Sequence, residues 1–404
     1  MNTLPALRNL DIQYTQHAGK PAVSLRDPEG YTNACLVLSP HAFFIAACLD
    51  GANDVEKVQT LFAREFMIGV PQPEDIHQVV QTLDEAGFLL TDTFYAMVDN
   101  RAADFRALPS RPAFLAGAAY PADPNELRSY LDEMFGGQSP TVNTSMDEPP
   151  VKCLVVPHID FERGAPAYAA GYSRLIAHGQ PNTFLIFGVA HSGASVPFIL
   201  TKKPFDTPLG PVQIDEEAVD KLAAACAWDP YVDEIVHRSE HSIEFQAVML
   251  SYLYGPNIRI IPVLCGPFLE NVAPGSTSEN LHVDTFLYTC SDLVSSKRVT
   301  VIAGADLAHV GKRFGDDMDI DEKVKRDIEE SDREDLQHAL AIAPAAFRDS
   351  VLEDGNWRRV CGLGCIYSAL RTIEGFARSG EILYYGSAPD PLGGLVSFAS
   401  LHLT

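Results

Sequence analysis

Residues 183–193 read TFLIFGVAHSG. The run from Thr183 to Val189 carries no charge and breaks off at Ala190-His191-Ser192-Gly193. A short continuous apolar run that stops at a turn reads as a strand buried on both faces, as in a helix-covered parallel sheet. Three other segments repeat the pattern. VKCLVV (151–156) leads into Pro157-His158, IRIIPVL (258–264) into Cys265-Gly266, and VTVIAG (299–304) into Ala305-Asp306, followed by His309. In open α/β sheets, ligands bind beyond the carboxyl ends of the strands. Four such strands, each delivering a His, a Cys or an Asp/His pair to that edge, predict a functional site there. A single buried histidine would not.

Working outward, apolar strands alternate with helical stretches, which predicts an α/β fold: a doubly wound, mostly parallel sheet with helices on both faces. DPNELRSYLDEMF reads as a helix capped by Asp123. GGQSPTVNTSMDEPP (136–150) reads as a loop, and residues 96–107 as a linker that runs on into LPSRP. The first 95 residues form a separate small unit. LVLSPHAFFIAACLDG ends on a turn at Asp50-Gly51, and DVEKVQTLFAREF puts Val55, Val58, Leu61, Phe62 and Phe66 on one helical face. PEDIHQVVQTLDEAGFLL reads as a second helix with Gly87 as its stop and a short strand after it. This order predicts a winged-helix-like α+β domain. The expected organisation is therefore a domain at 1–95, a linker at 96–107 and an α/β domain at 108–404.

The 404 residues carry a formal charge of −24, which repels phosphate backbones and anionic lipid and disfavours nucleic-acid and membrane-surface roles. No apolar run reaches the length of a membrane span, and the first residues lack the pattern of an export signal. Eight scattered cysteines without a CxxC pair suit a reducing cytoplasm and disfavour a zinc ribbon. The chain has no GxGxxG, no GxxxxGK[ST] and no GxSxG, so neither the usual nucleotide cradles nor a serine nucleophile elbow is indicated.

The strand-end residues are metal donors by type. Imidazoles with one thiolate favour iron, copper or zinc over magnesium or calcium. By position alone the thiol is either Cys265 or Cys361. Cys361 precedes Gly362 and the helical stretch CIYSALRTIEGFA, where a helix N-terminus favours the thiolate. Asp306 and His309 are three apart, which puts them on one face if a helix begins there, and the pair suits proton transfer. His241 and Glu244 in EHSIE likewise share a helical face, as support or pocket residues. The run EESDRED (329–335) reads as a solvated helix face.

The same residues carry a resemblance. PAFLAGAAYPADPNELRSYL, VVPHIDF, IFGVAHSG, DTPLGPVQID, SEHSIEFQ, AGADLAHVG and VCGLGCI stand in the order found in the Memo family. That family is related in fold to the class III extradiol dioxygenases. The resemblance implies a metal held by two His and one Cys: His158 matches the His of VPHAG, His191 that of GPSH and Cys361 the Cys of the CG motif. Asp306 and His309 match SD-x-x-H, which lines the same pocket. The chain departs from the family at Ile159-Asp160, where Ala-Gly is frequent, and at Cys365, where Pro is more usual. Asp160 would add a carboxylate beside the metal.

Two functions follow as expectations. One is a metal-dependent oxidoreductase acting with iron or copper (zinc fits the donors too) on a small-molecule or peptide substrate, with His309 moving a proton. The other is a binding module whose metal is structural, closed by Asp160 or Cys265. The first unit also resembles the small peptide-binding domains of the PqqD type, which implies peptide presentation. The family's bacterial members imply a radical SAM protein partner, the AmmeMemoRadiSam association.

Overall fold

The computed structural model describes residues 3–404 except 68, 139, 141–148, 178–182, 270–280, 297–298, 379 and 391–392. The loop expected at 136–150 falls mostly outside the described residues. The chain divides into two compact units, Met1–Leu108 and Pro109–Thr404.

The first unit opens with three antiparallel strands, β1 (Asp11–His17), β2 (Lys20–Arg26) and β3 (Cys35–Leu38), in the order β1-β2-β3. Helices α1 (Pro40–Ala47), α2 (Val55–Phe66), α3 (Pro73–Glu85) and α4 (Asp92–Ala107) follow. Asp54 caps α2 by accepting from the Lys57 N–H at 2.9 Å. Gly87, at φ 73°, turns the chain after α3. Val58 and Phe62 of α2 meet Ile76 and Leu83 of α3 in one core with Leu25, Phe88 and Leu89. Two expectations need correction. The strand after α3 is a single antiparallel bridge between Leu7 and Leu89. The stretch 96–107 lies within α4, where Phe94, Ala102 and Phe105 are buried. Three apolar anchors in sixteen residues gave the sequence too sparse a period to read as a helix.

The second unit begins with α5 (Pro124–Met134), capped by Asp123 as expected. There follow β4 (Cys153–Val156), α6 (Phe161–Ala177), β5 (Thr183–Val189), β6 (Phe198–Leu200), β7 (Gln213–Ile214), α7 (Glu216–Ala225), α8 (His241–Tyr254), β8 (Arg259–Cys265), α9 (Leu281–Ser296), β9 (Val299–Gly304), β10 (His309–Gly311), α10 (Glu322–Leu340), α11 (Pro344–Leu352), α12 (Leu363–Ile373), β11 (Gly380–Asp390) and β12 (Gly394–Leu403). The sheet runs β10-β12-β4-β9-β5-β8-β6, with β11 on β12 and β7 on β8. Its centre, β4-β9-β5-β8, is parallel, and its flanks are antiparallel. The four strands read from the sequence are this parallel centre, and nearly every residue in them is buried. Helices α6 and α8 pack on one face and α9 and α12 on the other. The fold is the expected α/β class.

Running parallel side by side, the four strands bring His158, Asp306, His191 and Cys265 to one edge. Two close approaches complete that edge. A Cβ on Gly188 would stand 2.6 Å from the Ile243 and Ser242 side chains, so glycine lets the start of α8 press onto β5. Ser242 then fastens it: its hydroxyl accepts from the Val189 N–H at 2.9 Å and donates to the Val189 carbonyl at 3.1 Å. A Cβ on Gly362 would stand 2.5 Å from the Asp306 carbonyl, so the loop carrying Cys361 lies directly on the end of β9.

The run 329–335 is also not a wholly solvated face. Asp332 and Asp335 are fully buried and both grip Arg358, at 2.5 and 2.8 Å. A charge run alone cannot reveal that one face of α10 meets an arginine from another segment.

Candidate metal centre

His158, His191 and His241 each offer a ligand atom within 4.8 Å of the other two. The rings of His191 and His241 stack, with centroids 4.6 Å apart, and His158 stands edge-on to both at 4.9 and 5.1 Å. Their orientation follows from what their Nδ1 atoms touch. His158 Nδ1–H donates to the Gly304 carbonyl at 2.8 Å. His191 Nδ1 lies 3.0 Å and His241 Nδ1 3.1 Å from the same oxygen of Glu240. Each Nε2 is thereby left for another partner. Backbone carbonyls and carboxylates fix metal-binding histidines in this way.

One carboxylate thus braces two imidazoles. Glu240 is 5% exposed and also accepts from the backbone N–H groups of His191 and Ser242, each at 2.9 Å. Burial pushes its carboxyl up, but His191 and His241 overrule burial and hold it well below the usual range. Burial and the neighbouring imidazoles His191 and His158 keep His241 below its ordinary value, against the pull of Glu240, and so in the neutral form that binds metals.

Cys361 closes the cluster. Its Sγ lies 3.3 Å from His158 Nε2 and 3.7 Å from the Asp306 carbonyl oxygen. Burial raises its thiol, yet His158 and His309 bring it well below the ordinary range, so the sulfur is a thiolate. Burial lowers His158 too, but Asp306 and Cys361 lift it to about 9. Asp306 accepts from the His158 backbone N–H at 3.0 Å and comes within 3.5 Å of its Nε2.

A family model for Memo-like proteins matches residues 111–400 of this chain. The chain belongs to the Memo family. A MEMO1 family protein of Aquifex aeolicus is 27% identical over 402 residues, covering 98% of this chain and 99% of its own. One from Sulfolobus acidocaldarius is 32% identical over 291 residues, 69% of this chain and 93% of its own, and one from Methanococcoides burtonii is 29% identical over 286, 70% and 95%. The Aquifex Memo relative therefore has a counterpart of nearly the whole chain, whereas the archaeal ones match a Memo domain and little more.

In this Memo-family chain the residues expected from sequence are distributed as follows. His158, His191 and Cys361 come together, and His241, expected as a pocket residue, joins them with its own donor atom. His309 borders Cys361. Burial depresses it, but the thiolate and Asp306 outweigh burial and raise it above its ordinary value. No helix begins at 306–309, so the condition for a shared helical face is not met: Leu307 and Ala308 donate to the carbonyl and hydroxyl of Ser397, and His309 starts β10 instead. Glu244 faces away from the histidines. It accepts from the Leu115 N–H at 2.9 Å and from the Tyr120 hydroxyl, and pairs with the buried Arg111. Asp160 is taken by Arg163, 2.6 Å away. Cys365 is buried in α12, and Cys265 stands at 4.0 Å from Ser368 Oγ.

Glu240 was not singled out from the sequence as the brace, although its position just before a helix that starts with His gave a signal. A cleft of about 490 Å³ reaches the cluster, lined by His191 and Cys361 together with Cys265, Asn356 and Arg359.

Proposed function

We propose that this Memo-family protein holds one transition metal with His158, His191 and Cys361, with His241 as a third imidazole in reach, and uses it for redox or oxygen chemistry on a small molecule. The observation that carries this reading is the convergence of three imidazoles whose Nδ1 atoms are all engaged elsewhere. The donors fit the group by type: imidazoles and a thiolate suit iron and copper, which serve redox roles, and zinc as well. When bound, such a metal supplies Lewis acidity and, as iron or copper, a centre for electron transfer.

The chain's own residues do the rest. Glu240 and the Gly304 carbonyl fix the ring orientations. His309, raised in basicity and beside the cluster, takes or gives a proton, and Asp306 balances its charge. A purely structural metal would be closed off by a fourth protein ligand. Asp160, one candidate for that ligand, is engaged by Arg163; His241 is a fourth donor in reach, and the cleft reaching His191 and Cys361 supports a site in which it leaves a position for a small molecule. Eight free thiols fit a reducing compartment such as the cytoplasm. Among the described residues no helix is long and apolar enough to cross a membrane.

The test is anaerobic loading with iron or copper, followed by absorption spectroscopy. Cys361→Ser is expected to lose the thiolate charge-transfer band and to bind metal far more weakly. Cys265→Ser and Cys365→Ser are expected to keep both. A band that survives in Cys361→Ser contradicts the assignment of that thiol. His309→Ala is expected to lose reactivity while keeping its metal.

A further inference from the structure

The cleft beside the donor cluster has a chemical character of its own. Its walls include Val189, Pro267, Leu269, Val360 and Leu363, so most of its lining is apolar. Apart from the donors His191 and Cys361, the sole ionic side chain among its lining residues is Arg359. In a chain of net charge −24, a cation at this place is a departure from the surroundings.

Arg359 is held rigidly. Its backbone sits in the left-handed region at φ 50°, three residues after Asn356 at φ 54°, and the two are joined by an N–H to carbonyl bond of 2.8 Å. Non-glycine residues stay in that region when the surroundings impose it, and such sites cluster at ligand clamps. The guanidinium is braced end-on: Nη1 reaches one Asp316 oxygen at 2.9 Å and Nη2 the other at 2.5 Å, and Nη1 also meets the His309 carbonyl at 3.2 Å. These bonds leave Nε–H and the second Nη2–H without an acceptor among the described residues. The two lie along one edge of the planar group, the fork that matches a carboxylate. Asn356 adds a donor, because its Oδ1 accepts from the Val360 N–H at 2.8 Å and its amide nitrogen has no acceptor among the described residues.

We propose that the cleft takes a small organic monoanion, a carboxylic acid with an apolar body, anchored by its carboxylate on the Nε/Nη2 edge of Arg359. The inference rests on the metal-site reading for what happens to that molecule, since the apolar body then lies toward His191 and Cys361. Charge counting selects the class. Asp316 already offsets the charge of Arg359, so the free edge offers its two hydrogen-bond donors to one carboxylate, and no further Lys or Arg lines the cleft to hold a phosphate dianion. The apolar walls reward a hydrocarbon body, and a cleft of about 490 Å³ is of the size that encloses a small organic ligand.

The experiment is calorimetric titration of the full chain, stripped of metal by chelator, with benzoate, with its neutral counterpart benzamide, and with inorganic phosphate. Benzoate is expected to bind about tenfold or more tighter than benzamide, the usual gain from a charge-assisted pair, and tighter than phosphate. Arg359→Gly removes the guanidinium while relaxing the left-handed backbone, and is expected to erase the benzoate preference without lowering the unfolding temperature. Arg359→Lys keeps the charge but not the fork and is expected to retain part of the preference. Equal binding of benzamide, tighter binding of phosphate, or an intact preference in Arg359→Gly would overturn the proposal. Metal titration of the same preparations separates the two readings. A benzoate preference in protein that binds no iron, copper or zinc counts against the metal centre and supports the anchor. Metal binding without the preference counts against the anchor alone.

Discussion

Glu240 and Glu244 stand one helical turn apart at the start of α8, both buried, and they build two different polar clusters. Around Glu244 the groups pair with one another. Arg111, with no exposed surface, donates to the carbonyls of His237, Pro112 and Glu240, each at 2.9 Å, and faces Glu244, which Tyr120 and Leu115 also address. Around Glu240 the pairing stops halfway: the carboxylate takes one nitrogen from each of two histidines and leaves the other nitrogens converging with that of His158. A cluster that satisfies itself holds a fold together. A cluster that aims unused donors at one point has been built for a further partner. The two are also joined, because Arg111 Nη2 holds the backbone carbonyl of Glu240.

This contrast sets the order of expected effects. Arg111→Met leaves the Glu244 carboxylate buried without its partner, which typically costs about 3–5 kcal/mol. The denaturation midpoint of the second unit is expected to fall sharply, and an unmoved midpoint would mean that the Arg111 cluster does not support the fold. Glu240→Gln keeps the shape but weakens the brace. It is expected to reduce metal affinity about 10- to 100-fold, as loss of an outer partner of a ligating histidine does. Glu244→Gln is expected to leave that affinity nearly unchanged while lowering stability. If the two glutamates exchanged these behaviours in metal titration, the division between the clusters would be wrong.

The parallel centre was legible in the sequence because each of its strands is buried on both faces and so written as an uninterrupted apolar run. The C-terminal hairpin was not. All ten residues of β12 are buried, yet it reads GLVSFASLHL. Its polar members are satisfied by distant partners: Ser397 donates to Asp332 at 2.5 Å and Ser400 to the Ala167 carbonyl at 2.5 Å. Burial of that kind depends on groups 65 and 233 residues away, which no local pattern records. The site divides in the same way. His158, His191 and Asp306 were readable because they end strands. The roles of His241 and Glu240 depend on how Gly188 lets α8 approach β5, and Arg111 is invisible until its partners are assembled.

A smaller effect concerns acid. His237, fully buried with its Nε2 3.2 Å from the Ile199 carbonyl, is pushed down to about 3 by burial. Between about pH 3 and the ordinary value of 6.5 the unfolded chain carries a proton on this residue that the folded chain does not. Falling pH therefore favours unfolding across that window through this residue, and the contribution of His237 to stability is expected to be fully present only above about 6.5. His237→Gln is expected to flatten that part of the stability profile measured by denaturation at stepped pH. An equally steep profile in the variant would assign the acid sensitivity elsewhere.

The convergence of His158, His191 and His241 with Cys361 is tested most directly by metal stoichiometry. Chelator-stripped full chain without an affinity tag is titrated anaerobically with iron(II), copper and zinc, and bound metal is counted per chain beside His158→Ala. The expected result is one metal per chain in the native protein and none retained through gel filtration in the variant, with both equally folded by circular dichroism. Equal metal content in the two proteins, or no retained metal in either, would contradict the assignment of this cluster as a metal centre.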